Sequence, residues 1–208
     1  MPISTGSINI KPCEYCYLPL LDLFLLALTL VAGATIVWST LKVGISPMPS
    51  SHKARTAMFQ LADETGEGPI YDLGSGWGHL VIRLAKRYPQ RQIVAYELSM
   101  LPWLTTLVLK RMLGLSNLTI HRENFLSADL SGASVLMCYL HPPTMKAIKT
   151  KLDQEVGGAH YLISHNFALP SHQELKVVRL NDFYQSPVYL YRLKDLNAQA
   201  HPISLKVY

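Results

Sequence analysis

Apolar positions divide this chain into one long uninterrupted run and a series of short periodic ones. From Leu23 to Leu41 the sequence LFLLALTLVAGATIVWSTL holds no charged residue. With the residues from Tyr17 in front, it is long enough for the ~20 helical residues that cross a bilayer core. The reading is a transmembrane helix over 17–41, since the run is long for a core helix or a signal peptide and ends without a small-residue cleavage pattern. Next, Gly44 to Ser51 places two prolines and three serines in eight positions, the composition of a linker, here taken as 42–51, that ends in a helix cap. Ser50 or Ser51 is the expected N-cap. Ala54, Ala57, Met58, Leu61 and Ala62 then recur at helical spacing between His52 and Thr65, before Gly66 and Gly68-Pro69 close the segment.

Beyond that point strand-like and helix-like runs alternate: 70–73, 79–87, 92–97, 101–113, 118–122, 135–140, 144–156 and 160–164. Alternation of this kind marks a parallel sheet covered by helices. Lys176 to Leu180 and Val188 to Leu193 are extended runs with no helix between them, so they are expected to pair as an antiparallel hairpin at one side of the sheet. The expected architecture is α/β: a Rossmann-like, seven-stranded sheet with helices on both faces, preceded by one transmembrane helix. The domains follow as a short segment 1–16, the helix 17–41, the linker 42–51 and a catalytic domain 52–208.

Composition changes this picture little. Hydrophobic residues make up 49% of the 208 positions and charged residues 16%, and the excess of apolar residues lies near the N-terminus. The net charge of +5 comes from 19 Lys and Arg spread along the chain rather than gathered into a basic run, so charge alone does not select nucleic acid. Lys11 precedes the apolar run, whereas Lys42, Lys53 and Arg55 follow it, which places the catalytic domain on the cytoplasmic side. A bacterial inner membrane is favoured, because the first 41 residues contain no Arg; in a mitochondrial protein the matching side would be the matrix. Cys13 and Cys16 have CxxC spacing but no second pair to complete a zinc site, so no metal is expected and the pair is read as incidental. Cys138 lies in an apolar strand and reads as a buried free thiol.

The candidate chemistry sits in Asp72-Leu73-Gly74-Ser75-Gly76-Trp77-Gly78, a glycine turn between a short apolar strand and a helical run. Glycines let a backbone approach a ligand closely, and a following helix N-terminus offers free N–H groups. The dinucleotide fingerprint GxGxxG is not met, because His79 stands where its third glycine belongs. An acidic residue two positions before the first glycine, here Asp72, points instead to S-adenosylmethionine, whose amino-acid end such a carboxylate helps to fix. Glu97 ends the next strand, where a carboxylate can accept hydrogen bonds from both ribose hydroxyls. Asn124 and Phe125 follow the third strand and are candidates for the adenine amino group and an apolar wall to the ring. A turn Asn and a core Phe are the alternative. The fourth strand runs into Tyr139-Leu140-His141-Pro142-Pro143, which makes Tyr139, His141 and Pro142 the candidate substrate-side residues. His141 reads as a general base, a substrate orienter or a loop histidine. Base-modifying methyltransferases carry Asn or Asp before Pro-Pro and an aromatic after it. Here His141 precedes and Thr144 follows, so nucleic acid is disfavoured as a substrate.

Pro49-Ser-Ser51, Asp72 to Gly76, Ala95-Tyr-Glu-Leu98, Tyr139 to Pro142 and Asn166-Phe-Ala-Leu-Pro170 together resemble a small family. It comprises membrane-associated protein lysine methyltransferases of the mitochondrial inner membrane and their bacterial relatives, including enzymes acting on the ATP synthase c-subunit and on the adenine nucleotide translocase. The resemblance runs from about Pro47 to Leu193 and implies that the seven-stranded Rossmann-like sheet is of the class I methyltransferase kind. It implies S-adenosylmethionine held by Asp72, Gly74, Ser75, Gly76, Gly78, Glu97, Leu98, Asn124 and Phe125, and a protein acceptor embedded in the membrane. Trp77 after the second glycine and Asn166 before the late Phe depart from the family pattern. Both departures touch the substrate side more than the cofactor side. Methylation of a lipid or quinone at the membrane, and a catalytically silent S-adenosylmethionine-binding scaffold, are the competing readings.

Overall fold

A computed structural model of the protein describes residues 18–43, 51–154 and 159–193. Cys13 and Cys16, the linker from 44 to 50 and everything beyond 193 lie outside the described residues. Helix α1 covers Leu18–Val43, the segment that was expected to be helical over 17–41. Its side chains are described for 20–34 and 37, and they form a sleeve of exposed leucines, Phe24, Val31 and Val37. Among the described residues no helix is long and apolar enough to cross a membrane. The helix is therefore present, whereas its passage through a bilayer is a matter of function, taken up below.

Helix α2, His52–Asp63, is capped by Ser51, whose Oγ accepts the Ala54 N–H at 3.1 Å. Its buried face is Ala54, Ala57, Met58, Leu61 and Ala62, the set that the periodicity singled out. From there the chain alternates as β1 Ile70–Leu73, α3 Val81–Arg87, β2 Ile93–Tyr96, α4 Met100–Met112, β3 Leu118–His121, β4 Val135–Cys138, α5 Pro142–Gln154 and β5 Tyr161–His165. Strands β6 Lys176–Arg179 and β7 Pro187–Arg192 close the described chain. The seven strands form one sheet in the order β3-β2-β1-β4-β5-β7-β6. The first five are parallel, β7 runs antiparallel to β5, and β6 runs antiparallel to β7. The expected hairpin is thus present, with its second strand inserted between β5 and β6.

One expectation changes. Helix α3 begins at Val81 rather than His79, because residues 74–80 are consumed by the glycine turn, in which Gly74, Gly76 and Gly78 all take positive φ. Gly78 N–H donates to Ser75 O at 3.1 Å, and Gly78 O already accepts the Ile82 N–H at 3.0 Å. The turn, rather than an open helix end, is therefore what faces the carboxyl edge of the sheet.

Two apolar layers sandwich the sheet. Met58, Leu61, Leu84, Ile70, Ile93, Leu118, Val135 and Ile163 pack on the face carrying α2 and α3. Leu73, Val94, Leu136, Cys138, Met145, Ile148, Leu162 and Tyr191 pack on the face carrying α5. Burial of each such aliphatic side chain contributes about 1.5–3 kcal/mol, and β2 and β4, central in the sheet, are buried at every position. Asn117 adds a polar tie, its Nδ2 donating to the carbonyls of Ala85, Tyr88 and Arg91 at 3.0, 3.0 and 3.1 Å and so joining the start of β3 to the α3–β2 connection.

Candidate active site

Parallel register brings the ends of β1, β2 and β4 to one edge: Leu73 lies beside Tyr96 on one side and Cys138 on the other. Gly74 and Ser75 donate their N–H groups to Tyr96 O, both at 2.9 Å, which bends the chain sharply after β1. At Gly78, with φ +78°, a Cβ would come within 2.6 Å of Thr106 Oγ1, so glycine is required both by conformation and by the closeness of α4. At Gly74, with φ +80°, a Cβ would meet Leu140 Cδ2 at 3.2 Å.

Two carboxylates face this turn in different states. Glu97 is buried, its Oε2 accepting the Gly76 N–H at 2.8 Å and its Oε1 the Ser99 N–H at 2.7 Å. Each oxygen retains a lone pair, which is what two vicinal hydroxyls require. Asp72 is also buried, and its Oδ2 has no hydrogen-bond partner among the described residues. Burial, aided by the Glu97 charge, pushes the Asp72 carboxyl up to about 7. Ser75 Oγ is likewise buried and unpaired. Unsatisfied buried polar atoms are costly, and a cationic, hydroxyl-rich ligand supplies what this set lacks. The residues therefore fit the amino-acid and ribose ends of S-adenosylmethionine.

The remaining sequence candidates are placed less uniformly. Leu98 is exposed beside Glu97. Asn124 is exposed, and its Oδ1 accepts the Leu126 N–H at 3.0 Å, the turn role that competed with adenine recognition. Phe125 is half-buried against the α5-side core. His141 precedes α5, its backbone oxygen accepting the Met145 N–H at 3.1 Å and its Nδ1 lying 2.8 Å from Thr144 Oγ1. Pro142 is the first residue of α5, where a ring-fixed φ suits the helix start. Tyr139 alone of the substrate-side three joins an aromatic group. Its ring centroid lies 4.4 Å from that of His165 and 6.2 Å from that of Phe167. Cys138 is buried and free, and burial pushes its thiol up to about 12. Among the described residues no group of His, Cys, Asp or Glu is arranged to hold a metal ion.

Sequence reasoning did not single out His165, Thr106 or the Ser99 N–H, which the fold sets against Tyr139, the glycine turn and Glu97. The first was within reach: His165 ends the fifth strand, at the same carboxyl edge whose other strand ends were searched.

The fold and the site can be set beside known proteins. In a crystal structure of an RNA methyltransferase from Salinibacter ruber in complex with S-adenosyl-L-homocysteine, the fold recurs with a TM-score of 0.63 at 24% identity, covering 77% of this chain and 100% of that one. Magnesium protoporphyrin IX methyltransferase from Synechocystis PCC 6803, with bound S-adenosylmethionine, is similar at a TM-score of 0.53 and 14% identity, over 67% of this chain and 77% of that one. At these identities the likeness is one of fold. A protein-lysine N-methyltransferase of Saccharolobus islandicus (strain REY15A) is 26% identical over 146 residues, which are 69% of this chain and 91% of the relative. The model of the ANTKMT methyltransferase domain matches residues 72–176, from the first carboxylate of the site to the start of β6. The chain thus belongs to the ANTKMT methyltransferase domain family and is an S-adenosylmethionine-dependent methyltransferase.

Proposed function

We propose that the chain is a protein lysine N-methyltransferase acting on a membrane-embedded protein, with its N-terminal helix in the bilayer. The observation that carries the lysine reading is the stacked pair of aromatic rings, Tyr139 and Phe167, with centroids 6.2 Å apart at the carboxyl edge, one strand from the glycine turn. Aromatic faces suit an alkylammonium side chain, and the lysine methyltransferase relative is covered almost end to end. In this reading Asp72 holds the amino-acid end of the cofactor, Glu97 its ribose, and Gly74, Ser75, Gly76 and Gly78 the close backbone surface between them. The methyl group is supplied by the cofactor's sulfonium. The protein contributes position, exclusion of water and the neutral form of the amine, whose ordinary pKa is near ~10.4.

Two apolar surfaces support the membrane part. The exposed residues of α1 form one, and Met100, Leu104, Val108 and Met112, spaced four apart on α4, form the other; α1 and α4 touch. Helix α4 carries no acidic residue, and its only charges are Lys110 and Arg111 near its C-terminus, the pattern of a helix that rests at a lipid interface. In this reading the cations that follow the helix favour the cytoplasmic side for the catalytic domain, or the matrix side in a mitochondrion. Peptide mass spectrometry of membrane proteins from cells with and without the enzyme tests the reading: single-methyl mass steps on lysines of membrane proteins are expected. Steps confined to soluble proteins, or to lipids, would overturn it.

A further inference from the structure

The connection between β6 and β7 leaves two aromatic rings in the open. Phe183 is 95% exposed and Tyr184 83%, more than any other large apolar side chain among the described residues. Their ring centroids lie 5.2 Å apart with the planes at 90°. The turn beneath them is held by its own hydrogen bonds. Leu180 N–H donates to Ser186 O at 2.9 Å, Gln185 N–H to Asp182 O at 3.1 Å, and Ser186 N–H to the Asp182 carboxylate at 2.9 Å.

Strand direction fixes where this tip stands. Val188, near the start of β7, pairs with His165 at the end of β5, and Arg179 at the end of β6 pairs with Pro187. The tip therefore projects from the carboxyl edge of the sheet, the edge that carries the glycine turn and Glu97. Lys53 Nζ, in the first turn of α2, donates to Asn181 O, which ties the tip to the point where the chain arrives from α1. Only residues 44–50 separate α1 from Ser51, and a chain of that length reaches at most about 30 Å. A domain of this size is roughly 40 Å across, so with α1 in the bilayer this tether keeps the face bearing Ser51 and the tip near the surface.

Charge points the same way. Lys53 and Arg179 are exposed at the base of the tip. The only acidic residue between Arg179 and Pro187 is Asp182, whose carboxylate is engaged within the turn. Exposed aromatics flanked by cations suit the boundary between headgroups and acyl chains, where rings enter the apolar layer and cations meet anionic phosphate. Met100, the exposed first residue of α4, stands at the same edge just after β2, so the apolar face of α4 begins where the far side of that surface would lie.

We propose that Phe183 and Tyr184 form an interfacial anchor that sets into the bilayer surface and turns the carboxyl edge of the sheet toward the lipid. The inference rests on the membrane reading above and deepens it. Helix α1 holds the enzyme to the membrane, and the tip decides which face of the domain looks at it. Two rings offer about as much apolar surface as one myristoyl chain, which alone binds a bilayer only marginally, so the tip orients a domain already tethered. A lysine at the membrane surface then meets the strand ends rather than the side of the sheet.

The test uses the full chain carrying Phe183→Trp in vesicles of about three parts phosphatidylcholine to one part phosphatidylserine, with wild type supplying the native tryptophan emission for subtraction. Lipid brominated high in the acyl chain should quench the added emission by about twofold or more. Unquenched emission from a chain that floats with the vesicles would overturn the proposal and leave the insertion of α1 intact. Wild type that does not float would remove the membrane reading and the proposal with it. Quenching that appears only once a membrane-protein fraction is added would assign the tip to a protein partner, against the proposal. Phe183→Ser combined with Tyr184→Ser should leave flotation and S-adenosylmethionine affinity within about twofold of wild type, yet lower methylation of vesicle-embedded acceptors by about threefold or more. Unchanged methylation by that variant would show that the tip does not orient the domain.

Discussion

One oxygen of the Glu97 carboxylate accepts the Gly76 N–H at 2.8 Å, so the end of β2 grips the middle of the turn that follows β1. The same side chain is the candidate ribose ligand, and turn geometry and cofactor affinity are therefore coupled through one carboxylate. Glu97→Gln removes the charge from both backbone contacts and turns an amide N–H toward one of them. Cofactor affinity should fall by about tenfold or more, and stability by about 1–3 kcal/mol, as calorimetry with S-adenosylmethionine and thermal unfolding would read. Affinity within about twofold of wild type would show that the ribose lies elsewhere.

Gly78 and Gly66 both take positive φ, but only Gly78 has a neighbour in the way. A Cβ at Gly78 meets Thr106 Oγ1 at 2.6 Å, whereas one at Gly66 meets nothing within 4 Å. Gly66→Ala should cost about 1 kcal/mol of backbone strain. Gly78→Ala should cost roughly 2–4 kcal/mol and also weaken cofactor binding, because α4 must shift under the turn. Denaturant unfolding of the two variants would decide it, and equal losses would place the restraint in φ alone.

Asp72 makes stability depend on pH in a definite direction. Burial raises its folded carboxyl to about 7 from the ordinary ~3.9, so the folded state binds a proton that the unfolded state has released. Between these values stability falls as pH rises, and the full penalty, on the order of a few kcal/mol, is present above about 7. Asp72→Asn should accordingly raise the unfolding temperature at alkaline pH, with the gain shrinking toward pH 4, and should weaken S-adenosylmethionine binding throughout. A gain independent of pH would mean that the Asp72 carboxyl is not the titrating group.

Every candidate cofactor contact begins at Asp72 or later, while the apolar helix ends at Val43. Deleting residues 1–43 should therefore abolish flotation with lipid vesicles yet leave affinity for S-adenosylmethionine within about twofold, and methylation of membrane acceptors should drop through loss of effective concentration. Leu104→Gln combined with Val108→Gln in the full chain should weaken vesicle binding by a smaller factor, because α4 contributes only an exposed face. A folded deletion variant that had lost cofactor affinity would assign α1 to the catalytic core.

By itself the sequence determined what depends on neighbours along the chain. The buried stripe of α2 and its Ser51 cap, the β1–glycine turn–helix order, the acidic end of β2 and the extended runs of β6 and β7 all follow from periodicity and turn chemistry within about a dozen residues. Tertiary structure decided whatever depends on which strand ends become neighbours. The insertion of β7 between β5 and β6, Thr106 filling the space beside Gly78, the capture of the Gly76 N–H by Glu97 and the meeting of His165 with Tyr139 join residues 21 to 30 positions apart or more. A parallel sheet fixes such pairings through register and crossover packing, which no local pattern encodes. For that reason the sequence could bring the candidates Asp72, the glycines and Glu97 to one strand-end turn, whereas His141, conspicuous in sequence, sits at a helix start and His165, inconspicuous there, packs against Tyr139.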